Sequence, residues 1–260
     1  MRLSGLVDSH CHLQHEQFDA DRDAVLERAA DAGIDRIMVP GWDLRSSAAA
    51  LELAERHSPL IQAAVGVHPH HAAETEERAW RDLEAMAGDP RCAAVGEIGL
   101  DFFRNLSPPD VQHAAFERQL ALATRHELPV IVHDRDAHAE VTSTLSRWQG
   151  RGSTGASGVL HAFSGDAAMA GALIARGFLL SFALPLSFRS AVGPRAAAAT
   201  ITGGAYLVET DAPYLGPDRT ARNEPTTALR VVAELARLRE MEPQDVADEV
   251  RGAYERLVAL

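Results

Sequence analysis

The stretch from Leu3 to Val39, LSGLVDSHCHLQHEQFDADRDAVLERAADAGIDRIMV, holds a complete strand–helix–strand unit. Leu3–Val7 reads as a strand, Asp21–Ala32 as a helix and Ile34–Val39 as a second strand. The same alternation continues outward, about every 30 residues, through apolar runs at Leu60–Val67, Ala93–Ile98, Pro129–Val132, Gly158–Leu160, Phe178–Phe182 and Ala205–Val208. Helical patterns fall between them at Ser46–His57, Thr75–Ala87, Pro109–His126 and Asp166–Arg176. Strands that alternate with helices pair in parallel through right-handed crossovers. Eight of them in 260 residues predict an α/β fold, a (β/α)₈ TIM barrel, with residues 1–260 as a single domain. The periodicity taken alone also fits an open doubly wound sheet. No repeat by identity and no shift of composition marks a second domain. Gly150–Gly158 (GRGSTGASG) reads as a flexible surface loop joining a helix to the next strand, on the face of a barrel that serves stability. The Ala196–Ala199 run reads as helix filler.

Hydrophobic residues make up 46% and charged residues 24%, the proportions of an ordinary soluble globular chain. The formal net charge of −12 excludes a protein that coats nucleic acid with a basic surface, though not a local basic patch. There is no lysine, so every basic side chain is Arg. That removes Schiff-base aldolases, pyridoxal enzymes, P-loop kinases and hydrolases that bridge two metals with a carbamylated lysine. Cys11 and Cys92 are too few for a disulfide framework or a thiolate zinc site. The opening MRLSGLVDSHCHL has no apolar signal region and no segment approaches a membrane span, so the expected compartment is the cytoplasm.

In a barrel the chemistry belongs to the C-terminal ends of the strands. Metal-capable side chains stand at nearly all of them: Asp8-Ser9-His10-Cys11-His12, His68-Pro69-His70, Glu97-Ile98-Gly99-Leu100-Asp101, His133-Asp134-Arg135, His161 and Glu209-Thr210-Asp211. Residues two apart on an extended segment share a face, so His10 and His12 are able to chelate one ion, and Glu209 and Asp211 face one cavity. Imidazole and carboxylate suit Zn, Mn, Fe or similar divalent ions. Cys11, between the two histidines, should point the other way, into packing. A lone His or Glu at a strand end is ordinarily structural or solvated. Six such positions on one rim are not required for stability. His15, His57, His71, His113, His126 and His138 fall in helices or outer loops and receive no role.

At these residues the sequence resembles the TatD family of metal-dependent deoxyribonucleases, within the amidohydrolase-like barrel superfamily. The resemblance runs from Asp8-Ser9-His10-Cys11-His12-Leu13 through Gly66-Val67-His68-Pro69-His70, Glu97–Asp101, Val132–Ala137, His161-Ala162-Phe163-Ser164-Gly165 and Glu209–Leu215 to Arg222-Asn223-Glu224-Pro225. It implies two divalent ions (Zn, Mn, Mg, Fe or similar), one held by His10, His12, Glu97 and Asp211, the other by Glu97, His133 and His161, with Glu97 bridging. A bridging glutamate agrees with the missing lysine. Two departures stand out: Ala162 occupies a place where Cys is common, and the loop Asn105–Pro109 differs from usual forms.

The resemblance further implies hydrolysis of DNA phosphodiester bonds, 3′ to 5′ and with a preference for single strands, in DNA degradation or repair. The implied partner is DNA, single-stranded or at 3′ ends, with no membrane and no obligate protein partner. Asp211 is the expected general base and, with Glu97, the catalytic pair. Glu209 and Asp101 should orient ligand histidines from behind, while His68, Arg135 and Arg222 should hold substrate phosphate. Arg45, Arg104, Arg189 and Arg219 also fall after strand ends, Arg45 and Arg189 reading individually as solvated charge. Phe102, Phe103 and Tyr214 are candidates to stack unpaired bases, with one of them expected in core packing. A small-molecule amidohydrolase or a D-aminoacyl-tRNA deacylase would use the same metals. A metal-binding scaffold without activity is the third alternative, against which the complete ligand set argues.

Overall fold

The computed structural model describes residues 2–148, 157–218 and 221–258. Eight strands run parallel in sequence order: β1 (Leu6–Asp8), β2 (Ile34–Pro40), β3 (Ile61–Val65), β4 (Cys92–Asp101), β5 (Val130–Arg135), β6 (Gly158–Leu160), β7 (Phe178–Phe182) and β8 (Tyr206–Val208). The seam between β8 and β1 closes just beyond the strand ends, where the Ser9 N–H donates to Val208 O at 2.9 Å and the Asp211 N–H to His10 O at 2.9 Å. The result is a nearly closed barrel with helices outside, and the open-sheet alternative falls.

The helices are α1 (Arg22–Ala32), α2 (Leu44–Arg56), α3 (Glu77–Ala87), α4 (Pro109–Arg125), α5 (His138–Arg147), α6 (Ala167–Ile174), α7 (Val192–Thr200), α8 (Ala228–Arg239) and α9 (Pro243–Val258). Local chemistry sets their ends. Asp43 and Ser46 form a reciprocal capping box, which starts α2 two residues before the apolar pattern suggests. Gly33 ends α1 at φ +92°, where a Cβ would lie 1.6 Å from Leu3 O. The chain turns there into β2 only because the residue is glycine. The sequence pattern did not single out α5, α8 and α9; α9 packs on β1 and β8, behind the seam. Among the described residues no helix is long and apolar enough to cross a membrane. Residues 150–156 of the expected surface loop lie outside the described residues, and Gly158 belongs to β6.

The strand limits differ most at β4 and β5. The apolar runs stop at Ile98 and Val132, yet the ladder continues through Gly99 opposite His133, Leu100 opposite Asp134 and Asp101 opposite Arg135. Backbone pairing, not side-chain polarity, extends these strands. Between Val95 and Ile98 three steps of β4 oppose two steps of β5, from Val130 to Val132. This extra residue is a bulge, a device that re-aims a side chain, and the side chain at the bulge is Glu97.

Two buried amides join α4 to the catalytic end. Gln119 accepts from Val67 N–H at 2.7 Å and donates to Val67 O at 3.0 Å. Gln112 accepts from Asp101 N–H at 2.8 Å and donates to Asp101 O and Ser107 O. Each amide satisfies both backbone groups of the residue it grips, as buried polar groups require. Gln119→Leu leaves the Val67 pair buried and unpaired, which costs about 1–3 kcal/mol. Urea unfolding should show a lower midpoint with unchanged slope, and an unchanged midpoint would mean that the grip contributes nothing.

Candidate metal centre

The strand ends gather five imidazoles (His10, His12, His68, His133 and His161) and two carboxylates (Glu97 and Asp211) at a pocket of about 470 Å³ over the barrel mouth, and all of them except the fully buried His10 line it. Glu97, 3% exposed, divides it. Its Oε2 faces His10 Nε2 at 3.3 Å and His12 Nε2 at 3.8 Å. Its Oε1 faces His133 Nδ1 at 2.8 Å, His68 Nε2 at 3.4 Å and His161 Nε2 at 3.5 Å. One carboxylate thus presents one oxygen to each of two imidazole clusters. Asp211 Oδ1 closes the first cluster, 3.4 Å from His12 Nε2 and 3.7 Å from His10 Nε2. The His10 and His12 Nε2 atoms stand 3.2 Å apart. The clusters are not fully separate, since the rings of His10 and His161 stack at 3.8 Å.

Three supports hold these groups. Behind His161, the buried Glu209 places Oε1 2.9 Å from Nδ1 while accepting the Ala162 N–H at 2.8 Å. Asp101 Oδ2 lies 3.2 Å from His133 Nε2 and 2.8 Å from His70 Nε2, so it orients two rings and also lines the pocket. Asp8, fully buried, accepts from Thr210 Oγ1 at 2.6 Å and from Thr210 N–H at 2.9 Å, fixing the residue before Asp211. Burial pushes the Asp8 carboxyl up to about 8, although both Thr210 hydrogen bonds oppose the rise.

The electrostatics follow from the crowding. Burial would raise the Glu97 carboxyl, but His161, His68 and His10 together hold it well below the usual range. His68 is pushed down to about 3 by burial and then by the neighbouring His133. For His161 burial opposes charge, yet Glu209 and Glu97 outweigh it and carry the imidazole up to about 10. The cavity therefore calls for positive charge, and its ring nitrogens and carboxylate oxygens form a donor set that fits divalent cations.

The structure places the other expected residues unequally. Arg135 and Arg104 line the pocket, the Arg135 guanidinium 5.0 Å from the Phe103 ring centroid. Arg222 does not reach it. Its guanidinium forks onto Asp21 at 2.6 and 2.7 Å and lies over Phe18, so phosphate contact through Arg222 gives way to a structural tie. Arg45 and Arg189 are exposed and line no part of it, and Arg219 lies outside the described residues. Phe103 and Tyr214 are 63% and 50% exposed at the rim, whereas Phe102 packs on the core. Cys11 is fully buried, on the side away from the pocket. His68, expected at phosphate, converges on the same Glu97 oxygen as His133 and His161.

Sequence reasoning missed four contributors. His71 lines the pocket. Trp42 stands in the pocket with its ring 5.2 Å from that of His12, and His15 lies beside Trp42 and Tyr214. Asn223, 1% exposed, donates its amide to Thr210 O at 2.8 Å and to Tyr214 O at 2.7 Å, spanning Asp211. Asp211 itself sits at φ +54°, a conformation a non-glycine residue keeps only when its surroundings enforce it. The loop Asn105–Pro109 begins with Asn105 at φ +50°, its side chain accepting from Gln112.

A parallel barrel with an imidazole–carboxylate cluster at the strand C-termini defines a metal-dependent hydrolase. The chain belongs to the TatD-related DNase family, whose model matches residues 7–259. It is 36% identical over 254 residues to the uncharacterised metal-dependent hydrolase YabD of Bacillus subtilis, covering 97% of this chain and 98% of the relative. It is 37% identical over 244 residues to the 3′-5′ ssDNA/RNA exonuclease TatD of Edwardsiella piscicida, covering 91% and 93%. The crystal structure of YjjV, a TatD homologue from Escherichia coli K12, superposes with a TM-score of 0.90 at 31% identity over 98% of both chains.

Glu97→Ala removes the carboxylate whose two oxygens face the two clusters. It should abolish divalent-metal-dependent hydrolysis while the circular dichroism spectrum stays native, whereas Cys11→Ser keeps most of the turnover. Equal losses in the two variants would contradict the alternation of the first strand. Asn223→Ala frees the loop that carries Asp211, and supports of this kind are worth about 10–100-fold in metal affinity or activity. Arg222→Ala should instead lower thermal stability and leave KM unchanged; a raised KM would restore it to the substrate site.

Proposed function

We propose that the chain is a 3′–5′ exonuclease that hydrolyses phosphodiester bonds of single-stranded DNA with two divalent cations. The observation that carries this reading is the divided Glu97 carboxylate, one oxygen toward His10 and His12, the other toward His68, His133 and His161. His10, His12 and Asp211 would hold one cation, His133 and His161 the other, with Glu97 between them. Bound there, the cations would make water nucleophilic near neutral pH and neutralise charge gathering on the phosphoryl oxygens. The relatives named as 3′-5′ ssDNA/RNA exonucleases support this substrate class over small amides.

The chain's own groups do the rest. Asp211, whose side chain is partly exposed to the pocket, would take the proton of the attacking water. His68, whose Nε2 sits on the Glu97 edge of the pocket, and Arg135 and Arg104 on the rim bind the flanking phosphate oxygens, Arg135 through paired donors. Phe103 and Tyr214 offer exposed rings to unpaired bases, contacts worth about 1–3 kcal/mol each. A base in a duplex has no free face for them, which favours single strands.

Turnover on single-stranded DNA, single-stranded RNA, N-acyl amino acids and aminoacyl-tRNA, each with and without divalent metal, tests the assignment. Release of mononucleotides from the 3′ end of the DNA is expected. Rapid turnover of a small amide or of the tRNA ester, with none of DNA, would overturn it. Because the rest of the surface is acidic, the grip should span about two to four phosphates. The slope of log affinity against log salt is then about −1.4 to −2.8. Binding of an oligonucleotide to metal-loaded Asp211→Asn measures it, and a slope steeper than about −5 would require an extended basic track.

A further inference from the structure

A second and larger cavity, of about 840 Å³, opens beside the metal pocket, between the segments that follow β6 and β7. Arg135 lines both spaces. The chain also passes directly from one to the other, since His161 faces Glu97 while the next residues, Ala162 to Gly165, wall the second cavity. Its floor is apolar: Phe163 and Phe182, both buried, meet edge to face with centroids 6.1 Å apart, and Met169, Leu186 and the exposed ring of Phe188 complete the lining. Phe188 and Val192 stand at the mouth, 53% and 71% exposed. Five polar side chains also line it: Arg135, His138, Ser164, Asp166 and Ser190. Asp166 uses Oδ1 to cap α6 through the Met169 N–H, and His138 uses Nδ1 on Asp134.

We propose that this cavity seats the nucleobase of the 3′-terminal nucleotide, with Arg135 holding the adjoining phosphate between base and metal pocket. The inference rests on the nuclease reading and deepens it. A planar base has two apolar faces and a polar edge, which matches a largely apolar cavity with the exposed Phe188 ring on its wall and several hydrogen-bonding side chains in its lining. The volume lies within the range of nucleotide-sized ligand pockets. A phosphate placed by Arg135 over the metal pocket leaves its own nucleoside beside the same guanidinium, and the cavity that Arg135 shares is the one on the β6–β7 side. Stacking does not depend on base identity, so all four bases enter, and the polar side chains set modest preferences among them.

The test compares two single-stranded oligonucleotides, one ordinary and one whose 3′-terminal residue lacks its base. The wild-type protein should lose about five- to 150-fold in kcat/KM on the abasic substrate, the span of base–aromatic stacking. Phe188→Ala, which removes an exposed wall, and Ala191→Phe, which fills the cavity, should lower kcat/KM on the ordinary substrate and leave the abasic one nearly unchanged. Equal rates on both substrates in the wild-type protein, or equal losses on both in the variants, would overturn the proposal while leaving the nuclease intact. Calorimetry with deoxyadenosine monophosphate and deoxyribose 5-phosphate supplies a readout independent of turnover. If no oligonucleotide is hydrolysed but the nucleotide binds at least fivefold tighter than the sugar phosphate, and Ala191→Phe abolishes the difference, the base site stands and the nuclease reading falls.

Discussion

A carboxylate buried among imidazoles organises this molecule. Removing the Glu97 charge from water costs several kcal/mol unless opposite charge and hydrogen bonds surround it. The barrel answers by bringing histidines from β1, β3, β5 and β6 onto its two oxygens. That convergence demands close backbone packing beneath it. A Cβ at Gly66 would lie 2.6 Å from the Gly96 carbonyl carbon, and one at Gly99 would lie 2.0 Å from His133 O. With larger residues there, β3, β4 and β5 would separate, and the imidazoles would no longer reach one carboxylate.

The ring of polar residues behind the cluster converts a crowded site into a positioned one. Glu209 and Asp101 fix the tilt of His161 and His133, while Asp8 and Asn223 grip the backbone on either side of Asp211. Gln112 and Gln119 perform the same service from outside, joining the α4 helix to the ends of β4 and β3. The ties of Glu209, Asp8, Asn223, Gln112 and Gln119 also satisfy buried backbone groups that would otherwise be unpaired, so a support of the cluster is also a support of the fold. The segment Arg222-Asn223-Glu224 illustrates the point: Arg222 and Glu224 link it to Asp21 and Arg28 on and beside α1, and Asn223 holds the loop that carries Asp211.

The net charge of −12 and an anionic substrate are compatible because the two act at different ranges. The acidic surface is screened within about 8 Å at physiological salt. Inside the pocket two divalent cations would outweigh Glu97 and Asp211, and Arg104 and Arg135 add to the rim.

Much of this was legible in the sequence because it is local. Strand and helix alternation, the histidines at strand ends and the i, i+2 spacing of His10 and His12 are properties of neighbouring residues; alternation pointed to a barrel but left an open sheet possible, and the ordered set of motifs from Asp8 to Pro225 pointed to a metal-dependent family. Residues whose role depends on remote partners were not legible. Arg222 looked like a phosphate contact until Asp21, about 200 residues earlier in the chain, occupied its guanidinium. Trp42 carries no motif-level sign of the pocket it lines, and Asn223, although inside the Arg222–Pro225 motif, shows only in the fold that it braces the residues around Asp211. Gln112 and Gln119, buried on an otherwise apolar helix face, offered a signal that apolar periodicity ignores. The bulge at Glu97 is a mismatch between two strands and has no existence in either alone. Sequence by itself determined which chemistry the chain carries and at which end of the barrel it lies. Only the closed sheet decided which oxygen faces which imidazole, since those distances are set by packing among strands far apart in the chain.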